Sequence, residues 1–84
     1  MTAMNEQELK EVVLRALSDI APEVDVAALD PGKDLRDQID LDSVDFLNFV
    51  ISLHKELGVE IPDADVPKFT TLNGCVAYLL KQIQ

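Results

Sequence analysis

The chain has 84 residues, 48% hydrophobic and 27% charged, with 7 Lys+Arg against 16 Asp+Glu for a net charge of -9. That length predicts one small domain over residues 1–84 and is short for a large enzyme with its own substrate cavity. The apolar fraction excludes a disordered acidic tail, and the excess of negative charge excludes nucleic acid and anionic membrane surfaces, leaving basic protein surfaces as the natural partners.

Leu9, Val12, Val13, Ala16, Leu17 and Ile20 recur at i, i+3, i+4, i+7, i+8 and i+11, which places them on one helical face and predicts a first helix over residues 5–20. Asn5 or Thr2 can cap it, Glu6 and Glu8 suit the positive end of its dipole, and Pro22 stops it. The stretch from Met1 to Glu11 lacks the apolar core of a secretory signal, and no apolar run is long enough to span a bilayer. Cys75 is the only cysteine, so no intrachain disulfide can form. The expectation is a soluble cytoplasmic monomer without membrane insertion.

From Ala21 to Leu41 neither helical nor strand periodicity persists, and Asp30-Pro31-Gly32 is a turn signature. Val24, Val26, Leu29, Leu35, Ile39 and Leu41 predict a long loop packed over the domain with a short helical turn in it. A connection of about 20 residues in so small a domain is more often functional than incidental.

A second helix is predicted from Asp42-Ser43, where either side chain can cap, to Leu57, with Gly58 as its terminator. Phe46, Phe49, Val50, Leu53 and Leu57 make one buried stripe. Val44, Leu47 and Ile51 make another, for which a domain this small has little covering material, so this second stripe is a candidate docking surface. Pro62 to Val66 predicts a short third helix of about one turn, cut off by Pro67. Thr70 or Thr71 then caps a fourth, in which Leu72, Cys75, Val76, Leu79, Leu80 and Ile83 follow helical spacing. Leu57 to Ile61 could form a strand but has no second strand to pair with. The fold class is all-α, a bundle of three longer helices and one short one, with a long loop between the first two.

Six aspartates lie between Asp30 and Asp45, against only Lys33 and Arg36. The calcium-loop pattern fails: from Asp40, Val44 stands where a third oxygen ligand belongs, Asp45 where the glycine belongs and Ile51 where the bidentate glutamate belongs. No metal site is expected. His54, the only histidine, lies roughly 16 Å along the helix axis from Ser43, too far to act as its base. Cys75 falls on the core-facing stripe of the fourth helix and reads as a small buried apolar residue. The sequence therefore contains no self-sufficient nucleophilic site, and the chain is not expected to be an enzyme.

Ser43 poses a different question. Alone, Asp42-Ser43 before an apolar helix reads as an N-cap. Its place between a long loop and the one helix with surplus apolar residues also suits an attached group, because a phosphodiester there meets the positive end of the helix dipole, worth up to about 1 kcal/mol.

At this point the sequence resembles the acyl carrier protein family. Asp42-Ser43-Val44-Asp45 is the counterpart of that family's Asp-Ser-Leu motif, whose serine receives 4'-phosphopantetheine from coenzyme A. Glu60-Ile61-Pro62-Asp63 matches the start of its third helix, and Phe69-Thr70-Thr71-Leu72 the start of its fourth. The three motifs align without gaps from Asp42 through Leu79, and the four-helix order agrees over nearly the whole chain.

The resemblance implies that Ser43, flanked by Asp42 and Val44, is the attachment site, and that the prosthetic thiol rather than Cys75 holds acyl or aminoacyl groups as thioesters. It implies a phosphopantetheinyl transferase and acyl-loading and acyl-processing enzymes with basic docking patches as partners. Asp42, Val44, Asp45, Leu47, Ile51 and Glu56 occupy the family's partner-binding positions, and Leu53, Val66 and Phe69 would line an acyl pocket. Asn48, His54 and Lys55 replace the glutamates usual in fatty-acid-synthesis carriers, which points to a specialised lipid or secondary-metabolite pathway. Val66 and Phe69 are larger than the residues common there, implying a shallow pocket, and Gly74 interrupts the fourth helix, where close packing would explain it. The alternative is a protein–protein interaction module of carrier fold that is never pantetheinylated, with Ser43 only a cap.

Overall fold

The computed structural model describes residues 4–83. Helix α1 spans Glu6–Ile20. The Glu8 amide donates to Asn5 Oδ1 at 2.8 Å while Glu8 Oε1 accepts from the Asn5 amide at 3.1 Å, a reciprocal capping box that satisfies two helix-end donors. Thr2, the other cap expected, lies outside the described residues. Leu9, Val12, Val13, Ala16 and Leu17 are buried along one side of α1, as their spacing predicts.

The loop after α1 contains two short turns of helix. A 3-10 turn at Val26–Ala28 is capped by Asp25, and α2, Leu35–Gln38, is capped by Asp34. The Asp30 turn forms as its residues dictate: Asp30 Oδ1 accepts from the Gly32 amide at 2.9 Å and its carbonyl from the Lys33 amide at 3.3 Å. Gln38 holds this turn from across the loop, accepting from the Asp30 amide at 2.7 Å and donating to the carbonyls of Asp30 and Lys33 at 2.9 and 3.2 Å. Backbone bonds from Leu35 to Thr70 and from Asn73 to Pro31, at 2.7 and 3.0 Å, tie the loop to the start of the last helix. Leu35, Ile39 and Leu41 are buried beneath it.

Helix α3, Ser43–Leu57, is the second predicted helix. Gly58 ends it with φ 65°, a left-handed conformation that glycine adopts without steric cost. The predicted one-turn third helix is longer than expected. Asp63–Phe69 forms a 3-10 segment that runs through Pro67. Proline's ring clashes with the carbonyl four residues back in an α-helix, and the tighter 3-10 bonding pattern is not built on that contact. Helix α4 spans Leu72–Ile83, and its cap is Thr71, whose Oγ1 accepts from the Gly74 amide at 2.9 Å.

Helix α1 packs against both α3 and α4, and the Asp63–Phe69 segment packs on α4. Phe49, Leu53, Phe69, Cys75 and Leu79 are fully buried at the centre. A Cβ built at Gly74 would stand 2.5 Å from the Lys68 carbonyl oxygen, so glycine lets the 3-10 backbone lie directly on α4. No strand is present among the described residues, and Asp34 and Thr71 form one isolated bridge. The all-α architecture agrees with the helical spacing.

Candidate functional site

The site begins at the first turn of α3. Asp42 Oδ1 accepts from the Asp45 amide at 2.7 Å, so Asp42 is the N-cap and Ser43 is the first helical residue. Ser43 is exposed, and its hydroxyl has no part in the cap. An anionic group on that oxygen would sit at the positive end of a helix of 15 residues. The residues present therefore fit a phosphodiester-linked group.

Other aspartates of the acidic loop have structural duties. Asp30 closes its turn and Asp34 caps α2 through the Arg36 amide at 2.8 Å. Among the described residues, no three His, Cys, Asp or Glu side chains converge as a metal site would require.

Val44, Leu47 and Ile51 are the large apolar side chains left exposed, at 66%, 48% and 40%. All three fall on one stripe of α3 beginning next to Ser43, and no other large apolar side chain among the described residues is so exposed. Asp45 and Glu56 lie on another flank of the helix, three turns apart. Glu56 faces α1, where Arg15 Nη1 approaches its carboxylate at 3.4 Å.

Beside the stripe lies an open groove of about 370 Å³ between α3 and the chain from Glu60 to Val66. Leu47, Val50, Ile51, His54, Glu60, Ile61, Asp63 and Val66 line it. Of the three residues expected at an acyl pocket, Val66 reaches this groove, whereas Leu53 and Phe69 are fully buried in the core. Sequence reasoning missed Leu47 and Ile51 as groove residues, although their spacing from Val50 and His54 already placed them on adjoining faces of one helix. His54 was missed too: its Nδ1 lies 2.6 Å from the Val59 carbonyl oxygen, which can only accept, so Nδ1 carries a proton and the ring is pinned at the groove's edge. A larger groove of about 550 Å³ between α1 and α4 contains no residue of α3.

Neither residue that could have served Ser43 as a catalytic partner is placed to do so. His54 is bound at the far end of α3. Cys75 is fully buried, with its Sγ 3.4 Å from the Phe69 carbonyl, and burial pushes its thiol up to about 12. At the other side of the core, the Tyr78 hydroxyl donates to Asp65 Oδ2 at 2.7 Å, with Lys68 Nζ 3.3 Å from the same carboxylate. Those contacts, the Tyr78 hydrogen bond foremost, hold the Asp65 carboxyl below the usual range, and Tyr78 is raised by the same bond.

Comparison with known proteins places this geometry. Residues 8–79 match the family described as "Phosphopantetheine attachment site", the site of covalent 4'-phosphopantetheine attachment in acyl carrier proteins. The acyl carrier protein of Myxococcus xanthus is 32% identical over 73 residues, covering 83% of this chain and 92% of that protein. "Polyketide-8 synthase acyl carrier protein 2" of Streptomyces avermitilis is 29% identical over 82 residues, covering 98% of this chain and 88% of its own. The structure of the acyl carrier protein from Enterococcus faecalis superposes with a TM-score of 0.72 at 25% identity, over 94% of this chain and 99% of that one. On the strength of the fold, the helix order and these relatives, the chain belongs to the acyl carrier protein family.

Proposed function

We propose that residues 1–84 form one monomeric carrier domain that bears 4'-phosphopantetheine on Ser43 and presents acyl or aminoacyl groups to separate enzymes. The observation that carries the reading is the exposed Ser43 at the first turn of α3, relieved of capping by Asp42 and followed directly by an exposed apolar stripe. The attached arm supplies a thiol that holds the cargo as a thioester. The chain's own residues would position that arm: Asp42 fixes the helix end, and a phosphate on Ser43 would meet the positive end of the α3 dipole.

His54, the one histidine of the chain, is bound at the far end of α3 from Ser43, so activation of the Ser43 hydroxyl is assigned to a phosphopantetheinyl transferase. Asp42, Val44, Asp45, Leu47 and Ile51 form the surface for that enzyme and for acyl-loading and acyl-processing enzymes, with Glu56 contributing from the α1 side. The groove reached by Val66 shelters short cargo, and Leu53 and Phe69, buried in the core, do not line it. The replacement of carboxylates by Asn48, His54 and Lys55 supports a specialised lipid or secondary-metabolite pathway, as does likeness to a polyketide synthase carrier. The setting proposed is the cytoplasm, where coenzyme A is at hand.

Intact mass after incubation with coenzyme A and a broad-specificity phosphopantetheinyl transferase tests the assignment. The parent chain gains one phosphopantetheine and Ser43→Ala gains none. A folded chain that gains nothing, with its cognate transferase also tried, would make the unmodified interaction module the correct account.

A further inference from the structure

Helix α3 carries its charge unevenly. The chain has 16 acidic residues, yet none falls between Asp45 and Glu56. Asp42 and Asp45 mark the N-terminal end beside Ser43, and His54 and Lys55 mark the C-terminal end. Val44, Asn48, Ile51 and Lys55 are spaced i, i+4, i+7 and i+11, so Lys55 continues the exposed stripe in register. Lys55 is exposed and, like most of the chain's basic residues, makes no ion pair among the described residues, so it is its register with the apolar stripe that sets it apart. The nearest acid in sequence, Glu56, is turned to the α1 flank and taken by Arg15. His54 is pinned beside Lys55 through Val59. Complementing the α3 dipole accounts for a base in the last turn, but not for its register with Val44 and Ile51.

We propose that α3 docks on enzyme surfaces of matching polarity: an apolar recess for Val44, Leu47 and Ile51, basic beside Asp42 and Asp45, and acidic opposite Lys55, about 16 Å further along the helix axis. This rests on the carrier reading and deepens it. A uniformly basic surface fits the Ser43 end but is repelled at Lys55, so Lys55 selects among enzymes that would all accept the N-terminal half. Charge order along one helix also fixes the direction in which the enzyme lies, and with it the side from which Ser43 is approached.

The test uses two stapled helical peptides of identical composition, with a leucine face and equal numbers of lysines and glutamates. In one the lysines occupy one end and the glutamates the other; in the second they alternate. Because net charge is the same, the chain's overall negative charge cannot distinguish them. Titrated into the ¹⁵N-labelled full chain at physiological salt, the segregated peptide should bind on the order of fivefold more tightly. Its shifts should centre on Val44, Leu47, Ile51 and Lys55. Lys55→Glu should abolish the preference, and Lys55→Gln, which adds no acid to the helix C terminus, should leave an intermediate one. Equal affinity of the parent chain for the two peptides, shifts centred elsewhere, or a preference unchanged in Lys55→Glu would each overturn the proposal. Phosphopantetheine loading of the same preparations, read by intact mass, separates the two claims. A loaded chain indifferent to charge order refutes the docking polarity alone, whereas a chain that never loads yet prefers the segregated peptide supports it and refutes the carrier reading.

Discussion

Asp42 Oδ1 accepts the Asp45 amide at 2.7 Å, and this one hydrogen bond separates the work of holding the helix end from the hydroxyl next to it. Removing each side chain should therefore have opposite consequences. Asp42→Ala should lower unfolding stability by about 1 kcal/mol in urea melts, the usual cost of a lost cap. Ser43→Ala should change stability by less than about 0.5 kcal/mol while abolishing phosphopantetheine attachment. A large loss of stability from Ser43→Ala would return the capping role to the serine.

Gly74 faces the Lys68 carbonyl oxygen at a separation that leaves no room for a methyl group. In an exposed helix, glycine to alanine stabilises by about 1 kcal/mol. Here Gly74→Ala should destabilise instead, by about 1–3 kcal/mol, because the Asp63–Phe69 segment must move off α4 to admit the new atom. Urea unfolding gives the sign directly.

Asp65 is ionised more readily in the fold than in the unfolded chain, first because of Tyr78 and then because of Lys68. Its contribution is complete above the unfolded carboxyl value of about 4 and is lost as pH falls through the lower folded value. Tyr78→Phe should thus destabilise more at pH 7 than at about pH 2, and the Asp65 carboxyl in that variant should titrate closer to the ordinary range by NMR. Tyr78 itself titrates above its usual value of about 10, so the parent chain should lose this support as pH rises past that point.

The buried Cys75, with its thiol pushed up to about 12, should not react with iodoacetamide at about pH 8 while the chain is folded. Folded chain without the prosthetic arm should show no reactive thiol, and chain carrying it should show one. Alkylation of Cys75, located by peptide mapping, would contradict its burial.

Asp45 and Glu56 both occupy partner-binding positions, but Arg15 approaches Glu56 at 3.4 Å on the α1 flank and partly offsets its charge there. Charge reversal at Asp45 should slow phosphopantetheinyl transfer, measured as kcat/KM, more than reversal at Glu56, and both more than reversal at Glu6 on α1. Because the Arg15–Glu56 pair is exposed, its coupling in a double-mutant cycle should stay below about 1 kcal/mol.

What the sequence by itself determined was local. Candidate caps near Asn5, at Asp42-Ser43 and at Thr70-Thr71, with Gly58 as a terminator, mark helix ends within a few residues and leave to the structure which side chain caps, and the spacing of Leu9 to Leu17 or Phe46 to Leu53 marks the buried faces. The excess stripe of Val44, Leu47 and Ile51 was likewise legible, because one helix cannot bury two faces in so little chain. The tertiary structure alone decided how far the 3-10 segment runs past Pro67, why Gly74 is required, which of Leu53, Val66 and Phe69 reaches the groove, and that Arg15, 41 residues from Glu56, occupies that carboxylate. The physical reason is common to all four. Each depends on how closely segments distant in sequence approach one another, and periodicity records which face of a helix is buried but not which neighbour buries it.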